Sequence, residues 1–467
     1  MDNSNLTEEK TAPFLKQHTA SPTARRRGKK GPLPASRALC LTRDGLLMAR
    51  TALCPGPEAR RGLPLFLANF FCDCRAIWRD IASGKRKMAG PVTLAMVLVA
   101  AFLIRGLFFS SYSFSDDFHY ASILDRIMLG KQDYAAVARW VGSRTDDLGY
   151  LHGLRFGLLY PLILLRTLFG AHPNLFAGYH LFLSLVQIMA VYLLMRHFFN
   201  EEIGLASALL LTLMPMDIVY ATYILPDSVI PPYMTISLLL FVYGQESRGA
   251  WKKLLLYSLA GMVFGLAWYS RVYAAFILVV MAALLLYRKR VDLWTAAFPI
   301  GFAVIFFLVN APIHKAAGSW FLDLKAASSA ERNFRRLFPI RTPWQYTTFF
   351  ARELLEGNNF LPFSLLAIAG AGAAAGIESR WRYFPLLWLA GLFFIPEAGT
   401  ARLPGWTPFH KLPRFMTMFT APIAALGGVL IGRLSSKRSL FFTALFILGA
   451  IVLISLRFEI PVWGMRP

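Results

Sequence analysis

Long apolar runs recur along most of this sequence, and short polar or basic stretches separate them. A helix needs about 20 mainly apolar residues to cross the hydrocarbon core of a bilayer. Hydrophobic residues make up 56% of the chain and charged residues only 16%, whereas soluble domains carry roughly 25% charged residues. The sequence therefore excludes a soluble multidomain enzyme, a disordered chain and a disulfide scaffold, and it predicts an all-α polytopic membrane protein.

The apolar runs predict about eleven membrane spans, within a range of roughly ten to thirteen. They lie near residues 91–110, 175–198, 203–222, 228–243, 254–270, 272–287, 293–312, 359–377, 383–396, 413–432 and 439–456. A further apolar stretch, 156–169, contains Pro161 and Arg166. We predict that it is a helix on the outer face that does not cross the membrane, within a loop that carries short surface helices after the first span.

The distribution of basic residues sets the predicted orientation. Lys and Arg are enriched in cytoplasmic loops, and if Lys85–Lys87 are cytoplasmic, every short loop on that side of the eleven-span arrangement is basic. Topology therefore explains the formal net charge of +23 better than nucleic-acid binding does. The arrangement leaves three sizeable outer segments, at residues 111–174, 313–358 and 397–412.

The first 88 residues differ in composition from the rest. They are rich in Arg, Lys, Pro, Ser and Thr without a sustained apolar period, which is typical of a disordered segment. Met88 directly follows three basic residues and precedes the first span, so we also hypothesise that translation starts there. Residues 89–457 form the predicted membrane domain, and 458–467 form a short tail.

Two adjacent acids, Asp116 and Asp117, follow the first span at the start of a segment with helical spacing. One interpretation is that Asp116 caps this helix, because Asp is favoured at the N-cap. The other is a carboxylate held at the membrane surface as a general base, since adjacent carboxylates raise one another's proton affinity. The sequence alone gives these two interpretations equal weight.

Charged residues also lie at the outer ends of the predicted middle spans. Asp227 follows Pro226 and is predicted either to cap the next helix or to act in function, because acids at span ends are costly. Asp217, at the end of the third predicted span, is predicted to be solvated. Arg271, at a tight outer turn, either reaches toward lipid headgroups or pairs with a phosphate.

Two groups of cations belong to the outer loops. Arg335 and Arg336 lie in the stretch ERNFRRLFPIR, and His410, Lys411 and Arg414 precede the tenth predicted span. Such side chains either contact solvent and the lipid interface or bind an anionic headgroup or pyrophosphate. Arg414 is three residues beyond Lys411 and on the same helical face, which favours joint action on one anion.

The order of these motifs resembles the GT-C superfamily of membrane glycosyltransferases, in the branch of protein O-mannosyltransferases and the lipid A aminoarabinose transferase. The resemblance covers about residues 90–430. The matching pieces are Ser115-Asp116-Asp117 with Tyr120, Arg155 to Pro161 with Leu168-Phe169-Gly170, Pro215 to Asp227, and His410 to Phe415 with Pro422.

This resemblance implies an inverting transfer of a sugar from a polyprenyl phosphate carrier on the outer face of the plasma (inner) membrane. It assigns the catalytic carboxylate to the acidic pair, and Asp227 and Arg414 match the family's later acid and cation. Family members usually show Asp-Glu at the pair, so Asp117 leaves open which acid acts. Because the soluble C-terminal domain of some relatives has no counterpart here, we expect a lipid or glycan acceptor rather than a protein.

Chemistry gives the other candidates their expected roles. A departing phosphate needs cations, and we assign that role to Arg414 with Lys411 and Arg271, with His410, Arg335 and Arg336 as further substrate-binding candidates. Asp227 is predicted to orient the acceptor or the sugar. Some superfamily members use a divalent metal. The sequence shows no His/Asp cluster that requires one, so it establishes no cofactor and leaves a divalent metal open.

Two other classes of protein compete with this hypothesis. A secondary transporter or flippase of an anionic or lipid-linked substrate also carries acids and Arg in its spans, but typically shows internal repeats and sites at the bilayer midplane. No repeat is evident here, and the charged candidates lie at outer span ends. A non-catalytic scaffold protein is the third alternative, and it would tolerate neutralisation of Asp116, Asp117 and Asp227 together.

Overall fold

We describe the protein from a computed structural model. It describes residues 90–109, 115–128, 154–170, 174–288, 291–326, 348–356, 360–398 and 413–434, with isolated positions that include Lys411. Within the second helix, side chains are described from His119 onward. These residues are predominantly helical and contain no β-strand, which confirms the predicted all-α class.

The first half of the described chain contains seven helices that lead up to the middle of the membrane domain. They are α1 (Gly90–Leu107), α2 (Ser115–Met128), α3 (Phe156–Phe169), α4 (Leu175–Phe198), α5 (Glu201–Thr212), α6 (Pro215–Tyr220) and α7 (Pro226–Glu246). The third predicted span, 203–222, is not one continuous helix. Its helix ends at Thr212 and a short helix begins at Pro215, because proline favours the first turn of a helix and disrupts an interior.

The second half continues in the same all-helical manner, with short 3₁₀ turns before three of its helices. It comprises α8 (Ala250–Ser270), the turn Val272–Ala275, α9 (Phe276–Arg288), the turn Leu293–Ala296, α10 (Ala297–Ala317), α11 (Phe349–Glu356), α12 (Leu361–Ala375), α13 (Phe384–Ala398), the turn Pro413–Met416 and α14 (Thr417–Leu434).

Four stretches of the described chain are long and apolar enough to cross a membrane. They are Leu175–Phe198, Ala250–Ser270, Leu293–Ala317 and Arg414–Leu434, and further helices such as α1, α9, α12 and α13 are shorter but equally apolar. The predicted span at 439–456 lies outside the described residues, as do the extension 1–88, the tail 458–467 and most of the three outer loops. The count of eleven therefore stays a prediction.

Helix α14 lies at the centre of the bundle, between α5 and α12. Nearly all of its side chains are buried, as expected for a helix that is apolar all round and surrounded by protein. Two glycines allow α14 to approach its neighbours closely, because glycine has no Cβ. A Cβ at Gly370 would clash with the carbonyl of Leu426, and a Cβ at Gly428 would clash with Ser207. The N-terminus of this central helix positions Arg414 and Phe415.

Charged side chains concentrate at two opposite ends of the helices. At the predicted cytoplasmic end, Arg288 pairs with Glu246 at 2.6 Å and its guanidinium lies over the ring of Trp381. At the other end, the start of α7, the end of α8 and the turn before α14 meet. That second meeting point contains the candidate site.

Candidate functional site

Asp227 is the centre of the site. It occupies the first turn of α7, where Pro226 begins the helix after the extended backbone of Leu225. A carboxylate is favoured there because the N-terminus of a helix is electropositive. The side chain is only 3% exposed, and the backbone carbonyl accepts a hydrogen bond from Thr417 Oγ1 at 3.1 Å. The first turns of α7 and α14 are thereby joined.

Two guanidinium groups contact this carboxylate. Arg271 Nη2 donates to Asp227 Oδ2 at 3.1 Å, and its Nε lies 3.0 Å from Oδ1. Arg414 Nε lies 3.3 Å from Oδ2. The structure thus brings together three of the residues predicted from sequence, although 44 and 187 positions along the chain separate the arginines from Asp227.

A third arginine, Arg155, belongs to the same neighbourhood. It precedes α3 and is partly buried. Its pKa is lowered to about 10, chiefly by burial and also by the nearby charge of Arg271, while Tyr120, Asp227 and Tyr273 act in the opposite direction. Arg155 therefore stays charged at neutral pH. In the sequence, Arg155 lies within one of the matching motifs but has no predicted role.

Aromatic rings hold the cations in place. The guanidinium of Arg271 lies over the ring of Phe415, 4.5 Å from its centroid, a geometry in which the ring face attracts the cation. Phe415 in turn meets Tyr273 edge to face at 5.2 Å. Asp227, Arg271, Tyr273 and Phe415 also line a small cavity beside the carboxylate.

Among the described residues of this site, cations outnumber carboxylates. The guanidinium groups of Arg155, Arg271 and Arg414 surround Asp227, and Asp323 lies near Arg155 as a second carboxylate. Guanidinium groups match the geometry of phosphate oxygens and can bind them in a bidentate manner. Where water is partly excluded, such an excess attracts an anion more strongly than it would in bulk solvent. The arrangement is suited to a phosphate.

Lys411 does not join this group of charges. Its Nζ contacts Glu397 Oε2 at 2.6 Å and the carbonyl oxygen of Glu397 at 2.8 Å, and it lies over the ring of Phe350. The Glu397 carboxylate also accepts hydrogen bonds at 3.1 Å from the backbone nitrogens of Phe350 and Ala351. This buried pair connects α13 to the start of α11, so the predicted joint action of Lys411 and Arg414 on one anion is not what the structure shows.

Several predicted site residues lie outside the described part of the chain. His410, Arg335 and Arg336 are among them, and so are the side chains of Asp116 and Asp117. The backbone of the acidic pair is described, and it forms the first turn of α2. Tyr120, three and four residues further along α2, is buried and close enough to Arg155 to influence its pKa.

Asp217 differs from its sequence prediction. The expectation was a solvated residue at a span end, but the side chain is only 7% exposed. Its neighbour is Arg105 of α1, a fully buried arginine that donates to Ser184 Oγ and to the carbonyls of Leu211 and Thr212. Helix α6, which carries Asp217, packs against α1, α5, α7 and α14, and the sequence around Asp217 does not reveal this packing.

No group of three or more His, Cys, Asp or Glu side chains that could hold a metal ion occurs among the described residues. The side chains of the acidic pair of α2 lie outside the described part of the chain.

Comparison with known proteins bears on the fold. Residues 172–319 match the sequence model of the family described as dolichyl-phosphate-mannose-protein mannosyltransferase. This segment runs from α4 to just beyond α10 and includes both Asp227 and Arg271. No curated protein matches the chain in sequence.

Two solved structures resemble the protein. ArnT from Cupriavidus metallidurans, bound to undecaprenyl phosphate, superposes with a TM-score of 0.50 and 17% identity, covering 74% of this chain and 60% of that one. The oligosaccharyltransferase of Archaeoglobus fulgidus superposes with a TM-score of 0.50 and 13% identity, covering 80% and 55%. The chain thus spans little more than half the length of either relative.

The described part of the chain therefore has the all-helical fold of these two solved structures. This fold and the family match over residues 172–319 agree with the resemblance to the GT-C superfamily that the order of the sequence motifs indicates.

Proposed function

We propose that this protein transfers a sugar from a polyprenyl phosphate carrier to a lipid or glycan of the cell envelope. The observation that carries the proposal is the excess of guanidinium groups around Asp227 at one end of the helices. The family match over residues 172–319 and the fold of ArnT, whose structure contains undecaprenyl phosphate, support a lipid-linked donor.

The proposed reaction is a direct displacement at the anomeric carbon. An acceptor hydroxyl attacks this carbon from the face opposite the phosphate, and the bond between the carbon and the phosphate oxygen breaks. The electron pair leaves with the phosphate, and the hydroxyl proton passes to a carboxylate base. Configuration at the anomeric carbon is inverted, and free polyprenyl phosphate is the second product.

The arginines stabilise the departing phosphate. Negative charge builds up on the bridging oxygen as the bond breaks, and preorganised donors act most strongly on charge that develops in the transition state. Arg271 and Arg414 are held by Asp227, and Arg155 approaches from the start of α3. Because the leaving phosphate is already an anion, it needs no proton from a general acid.

Asp116 or Asp117 is the proposed base. Both precede Tyr120 in α2 by one helical turn, and residues three or four positions apart share one face of a helix. Tyr120 lies near Arg155, which supports the proposal that the acidic pair acts beside the cationic site. Asp227 orients the sugar or the acceptor, and it holds the two arginines at the phosphate.

The active site belongs on the outer side of the plasma (inner) membrane in this proposal. The basic ends of α4, α9 and α14 lie at the opposite end of the helices, and cytoplasmic loops are enriched in such residues. Nucleotide sugars are made in the cytoplasm, so an outward-facing transferase depends on a donor carried by a lipid.

The test is release of free undecaprenyl phosphate from a panel of synthetic undecaprenyl phosphate hexoses and pentoses, with purified protein in nanodiscs and an envelope lipid extract as acceptor source. We expect wild type to release the lipid phosphate and one of the variants Asp116→Asn and Asp117→Asn to be nearly inactive at normal abundance. Uptake of the lipid-linked sugar into proteoliposomes without release would instead indicate a flippase. Wild-type transfer in both variants would refute the base assignment.

A further inference from the structure

Arg105 is a charged side chain buried inside the first predicted span. It belongs to the last turn of α1, and it is 0% exposed. An arginine in the interior of a membrane protein is costly and marks a candidate functional position. The proposed reaction uses three other arginines and gives Arg105 no part. The reason for its burial must therefore lie in its own contacts.

The guanidinium of Arg105 donates hydrogen bonds to three oxygen atoms. Its Nε donates to Ser184 Oγ of α4 at 2.8 Å. Its Nη1 donates to the carbonyl of Thr212 at 3.1 Å, and its Nη2 donates to the carbonyl of Leu211 at 3.3 Å. Arg105 thereby joins α1 to α4 and to the C-terminal end of α5.

The two carbonyls lie where the helix breaks. In a continuous α-helix each N–H donates to the carbonyl four positions earlier, so residue 215 would donate to Leu211 and residue 216 to Thr212. Pro215 has no N–H and begins the new helix α6, which removes the donor to Leu211. A carbonyl without a donor is costly in the membrane interior. Arg105 supplies donors to both carbonyls and so stabilises the break.

The break determines where the chain between α6 and α7 lies. Thr222, which follows α6, donates from Oγ1 to the carbonyl of Phe108 at 3.4 Å, directly beyond the end of α1. Four residues later Pro226 begins α7 and places Asp227 in the site. Residues 108–114 connect α1 to the first turn of α2, which contains the acidic pair. The end of α1 therefore contacts the segment before Asp227 and also leads to the proposed base.

We propose that Arg105 is a positioning residue that fixes the distance between the base on α2 and the cationic site around Asp227. This inference rests on the proposed function. The cationic site is held by its own contacts, since Thr417 donates to the carbonyl of Asp227 and Arg271 and Arg414 contact the carboxylate. Loss of Arg105 leaves these contacts in place and displaces the base. Misplacement of a reacting group lowers the rate of a reaction far more than it lowers binding.

The first measurement separates turnover from binding. Arg105→Met should lower kcat for release of undecaprenyl phosphate by about 10- to 100-fold and leave the affinity for undecaprenyl phosphate in nanodiscs within about twofold of wild type. Arg105→Lys keeps the charge but lacks the planar fork, so it should show the same split with roughly a threefold fall in kcat. Arg433→Met is the matched control and should change neither quantity, because Arg433 also donates to a carbonyl near a helix end, that of Ala373, at the opposite end of the helices.

A double variant distinguishes positioning from the capping of carbonyls alone. Pro215→Ala restores an N–H that can donate to Leu211. Combined with Arg105→Met, it should recover part of the denaturation temperature that the single variant loses, because the carbonyl regains a donor. The kcat of the double variant should stay low, because a continuous helix no longer directs the chain toward Asp227. Recovery of kcat together with stability would overturn the inference.

A distance measurement tests the position of α2 without any substrate. The four native cysteines lie within the first 74 residues and are replaced by serine. Spin labels are attached at Arg126→Cys on α2 and Lys315→Cys on α10, two exposed positions. Helix α10 packs on α8, which ends directly before Arg271. Double electron–electron resonance should give a broader or displaced distance distribution when Arg105→Met is added, and an unchanged one when Arg433→Met is added.

Failure of the inference differs from failure of the proposed function. If wild type releases no lipid phosphate from any donor, the proposed function is refuted, and the spin-label distances alone decide whether Arg105 positions α2. An unchanged distance distribution in Arg105→Met would overturn the inference whatever the activity. A loss of affinity for undecaprenyl phosphate as large as the loss of kcat would also overturn it, because Arg105 would then support the cationic site itself.

Discussion

Two clusters of acidic and basic side chains in this protein differ in their ratio of cations to carboxylates. Glu397 and Lys411 form a buried pair in which one carboxylate meets one ammonium, and two backbone nitrogens complete the carboxylate's hydrogen bonds. Asp227 instead faces Arg271 and Arg414 directly and Arg155 nearby, beside a cavity. In the first group the charges of Glu397 and Lys411 balance, which is typical of a structural connection. In the second group the guanidinium groups outnumber the carboxylates among the described residues, which is typical of an anion site.

The largest expected effect comes from breaking the neutral pair. Lys411→Met leaves the Glu397 carboxylate buried without its cation, and breaking a buried pair from one side costs about 3–5 kcal/mol. We expect a marked fall in the denaturation temperature of the purified protein.

The control is the double variant Lys411→Met with Glu397→Gln, which removes both charges. It should recover part of the lost stability, because no uncompensated charge is then buried. Unchanged stability in the single variant would contradict a structural role for this pair.

The next largest effect concerns the unbalanced group. Arg271→Ala removes a donor to the proposed leaving phosphate, and loss of one such donor lowers the rate of a reaction by about 100-fold or more. We expect this loss in sugar transfer with little change in denaturation temperature. Arg433→Ala, at the far end of α14, is the matched control and should retain sugar transfer. If Arg271→Ala were as active as this control, a phosphate site at Arg271 would be ruled out.

Arg155→Gln should have a smaller effect in the same direction. Arg155 is close to Asp227 and Arg271 but is not in the ion pairs with the carboxylate. We expect the KM for the lipid-linked donor to rise about tenfold, equivalent to about 1.4 kcal/mol. A KM within error of wild type would show that the site contains two cations rather than three.

Asp227→Asn should have the smallest effect on binding of undecaprenyl phosphate, and it should increase the affinity rather than lower it. Removing the carboxylate increases the excess positive charge, so undecaprenyl phosphate should bind roughly fivefold more tightly at low salt. Sugar transfer should fall, because the arginines and the sugar lose their orienting group. Weaker binding of undecaprenyl phosphate by this variant would contradict the assignment of the cluster as an anion site.

Much of the fold follows from local features of the sequence. Apolar runs of sufficient length predicted α4, α7 and α8 to within a few residues, because apolar length is what a bilayer selects. The helix break before Pro215 follows from the preference of proline for the first turn of a helix. The continuous hydropathy of residues 203–222 does not show this break. Asp227 and Arg271 were recognisable because charge at a span end is costly.

The rest of the site depends on contacts between distant parts of the chain. The partner of Lys411 is Glu397, on the preceding helix, and no spacing rule relates the two. The role of Arg155 could not be predicted, because only the fold brings the start of α3 near Asp227. Arg105 and the burial of Asp217 likewise require the packing of α1 against α5.

The most direct test of the anion site is a titration of undecaprenyl monophosphate into the protein in nanodiscs, comparing wild type, Arg271→Ala with Arg414→Ala, and Arg433→Ala. We predict that wild type and Arg433→Ala bind the lipid phosphate with equal affinity and that the double variant binds it at least about 100-fold more weakly, equivalent to about 2.7 kcal/mol. Equal affinity in all three proteins would show that the cations around Asp227 do not bind the phosphate.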